Sequence, residues 1–123
     1  MSVIYGLKRK INTVDDIKTN FTYRRCVCKE QLIRFLRDEA DENWKYDDIV
    51  EYNVKDFDFY IVGGWDEYGD IVPAYVGKDL NASLKYYRKN RFDYNGNEIF
   101  YIEGCYWGLQ TDEYNKDIEY KGK

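Results

Sequence analysis

Residues 56–77 read DFDFYIVGGWDEYGDIVPAYVG, and this stretch decides the fold class. Two runs of β-forming residues, FDFYIVGG and IVPAYVG, flank an acidic segment that contains glycine, which is typical of two strands joined by a hairpin loop. Pro73 has no backbone N–H to donate to a strand ladder. The second strand is therefore predicted to lie at a sheet edge or to carry a bulge.

Side-chain alternation along the first run predicts which of its residues are buried. The face expected in the core carries Phe57, Phe59 and Ile61. The face expected in water carries Asp56, Asp58 and Tyr60.

Further runs on both sides of the hairpin predict additional strands. They are SVIYGL near the start, FTYRRCVC at residues 21–28, DIVEYNV before the hairpin, and a second hairpin between RFDY and EIFYIEG. The Asn95-Gly96 pair in that second hairpin predicts a type I′ turn. CYWGL continues the β character, and DIEYK is predicted to add a last strand.

Two helices are predicted from apolar residues at steps of three and four. The longer covers residues 29–42, and we expect it to pack on the sheet that contains Phe57, Phe59 and Ile61. Its apolar stripe is Leu32, Ile33, Leu36 and Ala40. The second covers residues 79–90 and is capped by Asp79 or Asn81, while Thr13 is predicted to cap a short helical turn. The chain is therefore predicted to be one compact α+β domain, residues 1–123, with an antiparallel sheet.

The composition indicates a folded chain, with 44% hydrophobic and 34% charged residues in a length of 123, enough for one domain with a real core. No apolar run reaches the roughly 18 residues that a membrane span needs, and the N-terminal apolar stretch is too short for a secretory signal. We therefore expect a cytoplasmic protein that does not associate with membranes.

The residue types argue against an enzyme. The chain has no histidine, which removes the Ser-His-Asp and Cys-His catalytic arrangements. Its three cysteines, Cys26, Cys28 and Cys105, are too few for a disulfide framework or a four-ligand structural zinc site. No Gly-rich phosphate loop is present. The sequence predicts reduced structural thiols, no metal, no cofactor and no catalytic residue.

Charge is distributed unevenly along the chain. Residues 1–37 have a balance of plus 6, residues 38–79 of minus 10 and residues 80–123 of zero, within a net charge of −4. Such asymmetry points to an interaction surface.

The loop between the two central strands places two aromatic residues among these acids. A solvated hairpin connection is the plainer interpretation, because loops are polar by default. Bulky aromatics in a loop also serve as interface anchors, and a carboxylate array on a sheet can stand in for the phosphates of nucleic acid and so mimic DNA. The predicted partner-binding residues are Asp56, Asp58, Trp65, Asp66, Glu67, Tyr68 and Asp70.

Two other functional classes remain open. A small carboxylate- and metal-dependent enzyme such as a nuclease could use Asp117, Glu119 and Lys121, which alternate along DIEYK. A nucleic-acid-binding module could use the basic first third with stacking aromatics. The basic candidates are Lys8, Arg9, Lys10, Lys18, Arg24 and Arg25, and the aromatic ones are Tyr5, Phe21 and Tyr23. The acidic middle segment and a pI of about 4.9 argue against direct nucleic-acid binding.

In overall character the chain resembles the anti-CRISPR proteins, small phage proteins that counter host defences. The likeness lies in small size, absent histidine, a single proline and abundant Tyr, Asp, Lys, Asn and Ile. The resemblance implies a phage or mobile-element protein acting in the host cytoplasm. It also implies a basic host protein as partner, namely an RNA-guided nuclease such as Cas9, whose nucleic-acid channel would be blocked.

Overall fold

The computed structural model describes residues 1–39, 42–108 and 118–120, with only the backbone of the last two. Two three-stranded antiparallel sheets and three α-helices lie in these ranges, so the predicted α+β class is confirmed. The chain divides into two compact units, Met1–Asp56 with Gly108–Lys123, and Phe57–Trp107.

The first unit is built on one sheet. Strand β1 (Ser2–Leu7) pairs with β2 (Ile49–Val54), which also pairs with β6 (Glu119–Tyr120). Two helices, α1 (Val14–Thr19) and α2 (Lys29–Asp38), lie between β1 and β2 in the chain. The predicted cap of α1 is confirmed, because the Thr13 hydroxyl accepts the Asp16 N–H and the Asp16 carboxylate accepts the Thr13 N–H.

A buried polar network joins α1 to the sheet of the first unit. Asn20 accepts the Leu7 N–H at 2.6 Å and donates to the hydroxyl of Tyr52, which in turn donates to the Leu7 carbonyl. Asn20 and Tyr52 are both fully buried. Each polar group has a partner, so the network fixes its members without an unpaired buried group.

In helix α2 the central residues of the predicted apolar stripe are buried, which confirms that part of the prediction. Leu32 and Leu36 are fully buried, and Gln31 and Phe35 are buried beside them. The helix ends at Asp38, earlier than predicted. Ile33 is only half-buried. The predicted stripe residue Ala40 lies outside the described residues.

The sheet that α2 packs on within its own unit is not the one named in the prediction, because α2 contacts β1 and Phe57, Phe59 and Ile61 belong to the second unit. The strands that flank α2 in sequence form the sheet of its unit. The alternation in the central run could not reveal this, because an amphipathic helix fits either sheet.

The predicted strand at residues 21–28 is also wrong. Phe21 (φ 63°) and Arg25 (φ 48°) adopt left-handed conformations on either side of a short 3-10 turn. The Thr22 hydroxyl donates to the Ile17 carbonyl at 3.2 Å. The segment therefore folds back on α1 instead of extending.

The second unit is a sheet with one helix. Strand β3 (Phe59–Trp65) lies between β4 (Ile71–Gly77) and β5 (Tyr101–Cys105). Helix α3 (Leu80–Asn90) follows β4 and begins after Asp79, whose carboxylate accepts the N–H of Ala82 at 3.0 Å. The predicted hairpin and the predicted second helix are confirmed.

The two faces of β3 are assigned in reverse of the prediction. Tyr60 and Val62 are buried, whereas Phe59 and Ile61 are half-buried. The buried face is the one towards α3, because Tyr75, paired with Val62, stacks on Tyr86 of that helix at 5.0 Å. Tyrosine has a large apolar ring that is often buried, so treating Tyr60 as a water-facing residue reversed the assignment.

Phe57 is buried as predicted, but it precedes the strand. Its ring packs over Gly104, where an added Cβ would lie 2.6 Å from the ring. A glycine at that position makes room for the aromatic side chain.

The predicted edge position of Pro73 is confirmed. β4 is an edge strand, and its pairing with β3 shifts register between Val62 and Gly63. Gly63 lies opposite Pro73, where an added Cβ would be 2.0 Å from the Val72 carbonyl oxygen. The shifted ladder therefore requires glycine at this position.

Candidate functional site

The connection between β3 and β4 is a tightly hydrogen-bonded turn, Asp66–Asp70, which we call the acidic loop. The Asp66 N–H donates to the Asp70 carbonyl at 2.9 Å, and the Gly69 N–H donates to the Asp66 carbonyl at 3.2 Å. The Asp66 carboxylate accepts the N–H groups of Tyr68 and Asp70 at 2.9 and 3.0 Å. Gly69 supplies the positive φ of 82° that closes the turn. Asp66 therefore holds the backbone of the loop in one conformation.

The remaining side chains of the acidic loop point into solvent. Tyr68 is 81% exposed, and Glu67 and Asp70 are exposed on either side of it in sequence. Among the residues that the structure describes, neither of these two carboxylates makes a hydrogen bond or an ion pair. The loop thus presents an aromatic ring and two available negative charges on a fixed backbone.

Trp65, the last residue of β3, adds a second aromatic surface beside the loop. Its ring stacks on Tyr101 of β5 with centroids 4.0 Å apart and planes 5° apart, and Trp65 is 42% exposed. The stack orients the indole on the sheet, which lowers the entropy that a partner would have to remove. Sequence reasoning missed Tyr101, because a cross-strand neighbour is set by register and leaves no local signal.

A second turn, Asp93–Asn97, has the same hydrogen bonds as the acidic loop. The Asp93 N–H donates to the Asn97 carbonyl at 2.9 Å and the Gly96 N–H to the Asp93 carbonyl at 3.1 Å. The Asp93 carboxylate accepts the N–H groups of Asn95 and Asn97 at 2.8 and 2.9 Å. These hydrogen bonds, those from Asn97 foremost, hold the pKa of Asp93 below its usual range.

The predicted type I′ turn at Asn95-Gly96 is wrong. Within the described ranges only Gly96 of this pair has a positive φ, 79°, whereas a type I′ turn requires it at both positions. A second sequence signal competes with the Asn-Gly pair, namely the spacing Asp-x-x-Gly-Asp/Asn, which occurs in both turns. It marks an aspartate that caps its own turn.

The two turns lie at the same end of the β4-β3-β5 sheet. β5 runs antiparallel to β3, so the chain enters β5 beside the point where β3 ends. The second turn also carries a fully exposed tyrosine, Tyr94. Its charge differs, however, because Tyr94 and Asn97 stand at the positions that Glu67 and Asp70 hold in the acidic loop.

The two other predicted acids have structural partners. Asp56 in the first unit lies 3.5 Å from the N-terminal amine and accepts the Ser2 hydroxyl at 3.0 Å. Asp58 in the second unit accepts the Trp107 N–H at 2.8 Å. Both lie between β2 and β3, so the predicted solvent-facing strand position is wrong for both. Their partners explain these carboxylates without an external ligand.

The thiols lie in surroundings that disfavour ionisation. Cys26 and Cys28 are buried, and burial raises the pKa of Cys26, as does the neighbouring Cys28. Burial and the adjacent Glu103 carboxylate raise the pKa of Cys105 to about 12. The predicted strand position of the first two is wrong, because Cys26 makes an isolated bridge to Tyr5 and Cys28 is the N-cap of α2.

These pKa shifts predict slow alkylation of the folded chain. Near neutral pH the thiols of Cys26 and Cys105 should stay protonated, and the thiolate is the nucleophile. We expect the native protein to react with iodoacetamide much more slowly than the chain unfolded in urea, in which all three cysteines react. Mass spectrometry of timed samples measures the modified fraction. Fast modification of Cys26 in the folded state would contradict the buried, protonated assignment.

The described ranges show no metal site for the alternative of a metal-dependent enzyme. No group of three His, Cys, Asp or Glu residues is placed to hold a metal ion there. Asp117 and Lys121 of DIEYK lie outside the described residues, and of Glu119 only the backbone is described.

The aromatics proposed for nucleic-acid stacking contact the chain itself. Phe21 is buried. The Tyr23 ring lies 5.3 Å below the guanidinium of Arg24, and the Tyr5 ring lies 5.9 Å from the ammonium of Lys29. These cation–π contacts compete with any base that would stack there.

No protein-family model matches the chain, and no curated protein or solved structure is significantly similar to it. Among the described residues, no helix is long and apolar enough to cross a membrane.

Proposed function

We propose that the chain is a non-enzymatic inhibitor that binds a basic nucleic-acid-binding site of another protein through the acidic loop. The observation that carries the proposal is the pairing of a rigid turn with exposed, available groups. Tyr68 is 81% exposed, and the carboxylates of Glu67 and Asp70 make no interaction with the described residues. These exposed side chains are accessible to a partner.

The partner class follows from charge. Sites that bind nucleic acid are lined with lysine and arginine that neutralise phosphates, and carboxylates held at a fixed spacing can replace those phosphates. The resemblance to anti-CRISPR proteins makes an RNA-guided nuclease of a bacterial defence system the partner that we propose. Charge would speed the encounter, and the aromatic rings of Trp65 and Tyr68 would slow dissociation.

The double substitution Glu67→Lys with Asp70→Lys tests the proposal. It reverses both available charges and leaves Asp66, which holds the turn, in place. We expect slower association and an affinity about tenfold or more weaker at low salt, with a smaller difference at high salt, where charges are screened. The measurement is biosensor kinetics against the protein that the wild-type chain captures from a host lysate at low salt.

A matched control changes the net charge by the same amount at another place. Glu42→Lys with Asp47→Lys reverses two exposed acids of the first unit. We expect it to keep most of the affinity. Equal weakening by both double variants would show that only the total charge matters and would remove the acidic loop from the proposal.

A further inference from the structure

We propose that the acidic loop receives an arginine side chain of its partner, in preference to lysine. The guanidinium would stack on the exposed ring of Tyr68 or of Trp65 and pair with the carboxylate of Glu67 or Asp70. This inference rests on the proposed function and specifies the group that the site recognises.

The first unit already contains such an arrangement within the chain. The guanidinium carbon of Arg24 lies 4.6 Å from the ring centroid of Phe35 and 5.3 Å from that of Tyr23. Its Nη2 atom pairs with the Glu39 carboxylate at 2.7 Å. One arginine thus combines aromatic stacking with a charge-assisted hydrogen bond.

The second unit has a similar arrangement with different residues, in which an ion pair takes the place of the short hydrogen bond. The guanidinium carbon of Arg91 lies 4.6 Å from the Phe92 centroid and 5.7 Å from the Tyr87 centroid. Nη2 of Arg91 is 3.5 Å from the Glu98 carboxylate. Aromatic rings beside a carboxylate therefore hold an arginine in both units.

Among the described residues lysine also meets rings, at distances within the range that arginine shows, since the guanidinium carbon of Arg24 lies 6.0 Å from the Phe21 centroid. The ammonium of Lys29 lies 5.9 Å from the Tyr5 centroid and 5.6 Å from the Tyr46 centroid. A guanidinium is planar and weakly hydrated, so it can lie flat on a ring while its N–H groups reach a carboxylate at the edge. An ammonium is a compact, strongly hydrated charge that must lose water to approach as closely.

The acidic loop offers the same two components at the surface. It exposes the ring of Tyr68, with the ring of Trp65 beside the loop, and the carboxylates of Glu67 and Asp70. The other turn at this end of the sheet exposes Tyr94 but lacks the second component, because Tyr94 and Asn97 stand at the positions of Glu67 and Asp70. The two turns have the same backbone hydrogen bonds. Comparing variants of the two turns therefore separates the effect of the carboxylates from that of an exposed tyrosine.

The test uses two peptides of equal length and charge, one carrying arginine and the other lysine at every basic position. Binding to the full chain is measured by fluorescence anisotropy of a dye on each peptide. We expect the arginine peptide to bind about fivefold more tightly. Tyr68→Ala should abolish this preference, whereas the matched variant Tyr94→Ala should keep it.

Equal affinity for the two peptides would overturn the inference, and so would a preference that survives Tyr68→Ala or a failure of both peptides to bind. The proposed function has a separate test, because Glu67→Lys with Asp70→Lys is measured against the whole captured partner. If that double variant weakens capture while the peptides show no arginine preference, the loop binds through charge alone. Binding of a single-stranded oligonucleotide in place of the peptides would overturn both proposals.

Discussion

Replacing Leu36 by alanine should lower the free energy of unfolding by about 2 to 5 kcal/mol. Leu36 is fully buried in α2, and this helix contacts β1 of its own unit. The substitution removes the apolar transfer free energy of the missing methyl groups and leaves a cavity that the surrounding side chains fill only in part. Urea unfolding followed by circular dichroism measures the change.

Ile33→Ala is the matched control for this prediction. Ile33 lies on the same helix and is an isomer of leucine, but it is only half-buried. Its replacement should cost clearly less free energy, because less apolar area leaves water there on folding. Equal losses for the two variants would contradict the burial of the predicted stripe around Leu36.

Replacing Gly63 by alanine should lower the free energy of unfolding by about 3 kcal/mol. The added Cβ would lie 2.0 Å from the carbonyl oxygen and 2.8 Å from the carbonyl carbon of Val72. Both are backbone atoms, so a side-chain rotation cannot relieve the overlap, and the paired strands β3 and β4 must move apart. Because the acidic loop joins these strands, we also expect its turn to be disturbed.

Gly64→Ala is the neighbouring control. Its added Cβ would have one close contact, the Ile99 carbonyl oxygen at 3.2 Å, which a shift of a few tenths of an ångström relieves. Thermal unfolding of both variants gives the comparison. If Gly63→Ala proved no more destabilising than Gly64→Ala, the register shift between β3 and β4 would be wrong.

Local sequence signals predicted most of the helices and strands. Asp79 and Thr13 marked helix starts through their capping side chains, and Pro73 marked an edge strand. Each of these signals acts over a few residues. They are therefore visible without knowledge of the tertiary structure.

Features that depend on tertiary pairing were not predictable in this way. The buried face of β3 depends on which side α3 covers, and this reversed the assignment of Tyr60 and Phe59. The partner of α2 depends on which strands share its unit. Both are long-range choices, and tertiary packing overrides the local pattern in each.

The same distinction between local signals and tertiary structure applies to the candidate site. The sequence identified the loop and its aromatics, and the structure shows Trp65 and Tyr68 exposed. The sequence could not distinguish structural from available carboxylates, because the hydrogen bonds that Asp56, Asp58 and Asp66 accept form only in the folded structure. The structure thus narrows the candidate acids to Glu67 and Asp70.

Displacement of nucleic acid tests most directly whether the acidic loop occupies a nucleic-acid-binding site. The protein captured from the host lysate is loaded with its fluorescently labelled guide or target nucleic acid, and the chain is added in increasing amounts. We predict that fluorescence anisotropy falls as the chain binds, and that Glu67→Lys with Asp70→Lys fails to lower it at the same concentrations. Unchanged anisotropy with the chain bound, or equal displacement by the double variant, would contradict inhibition through this loop.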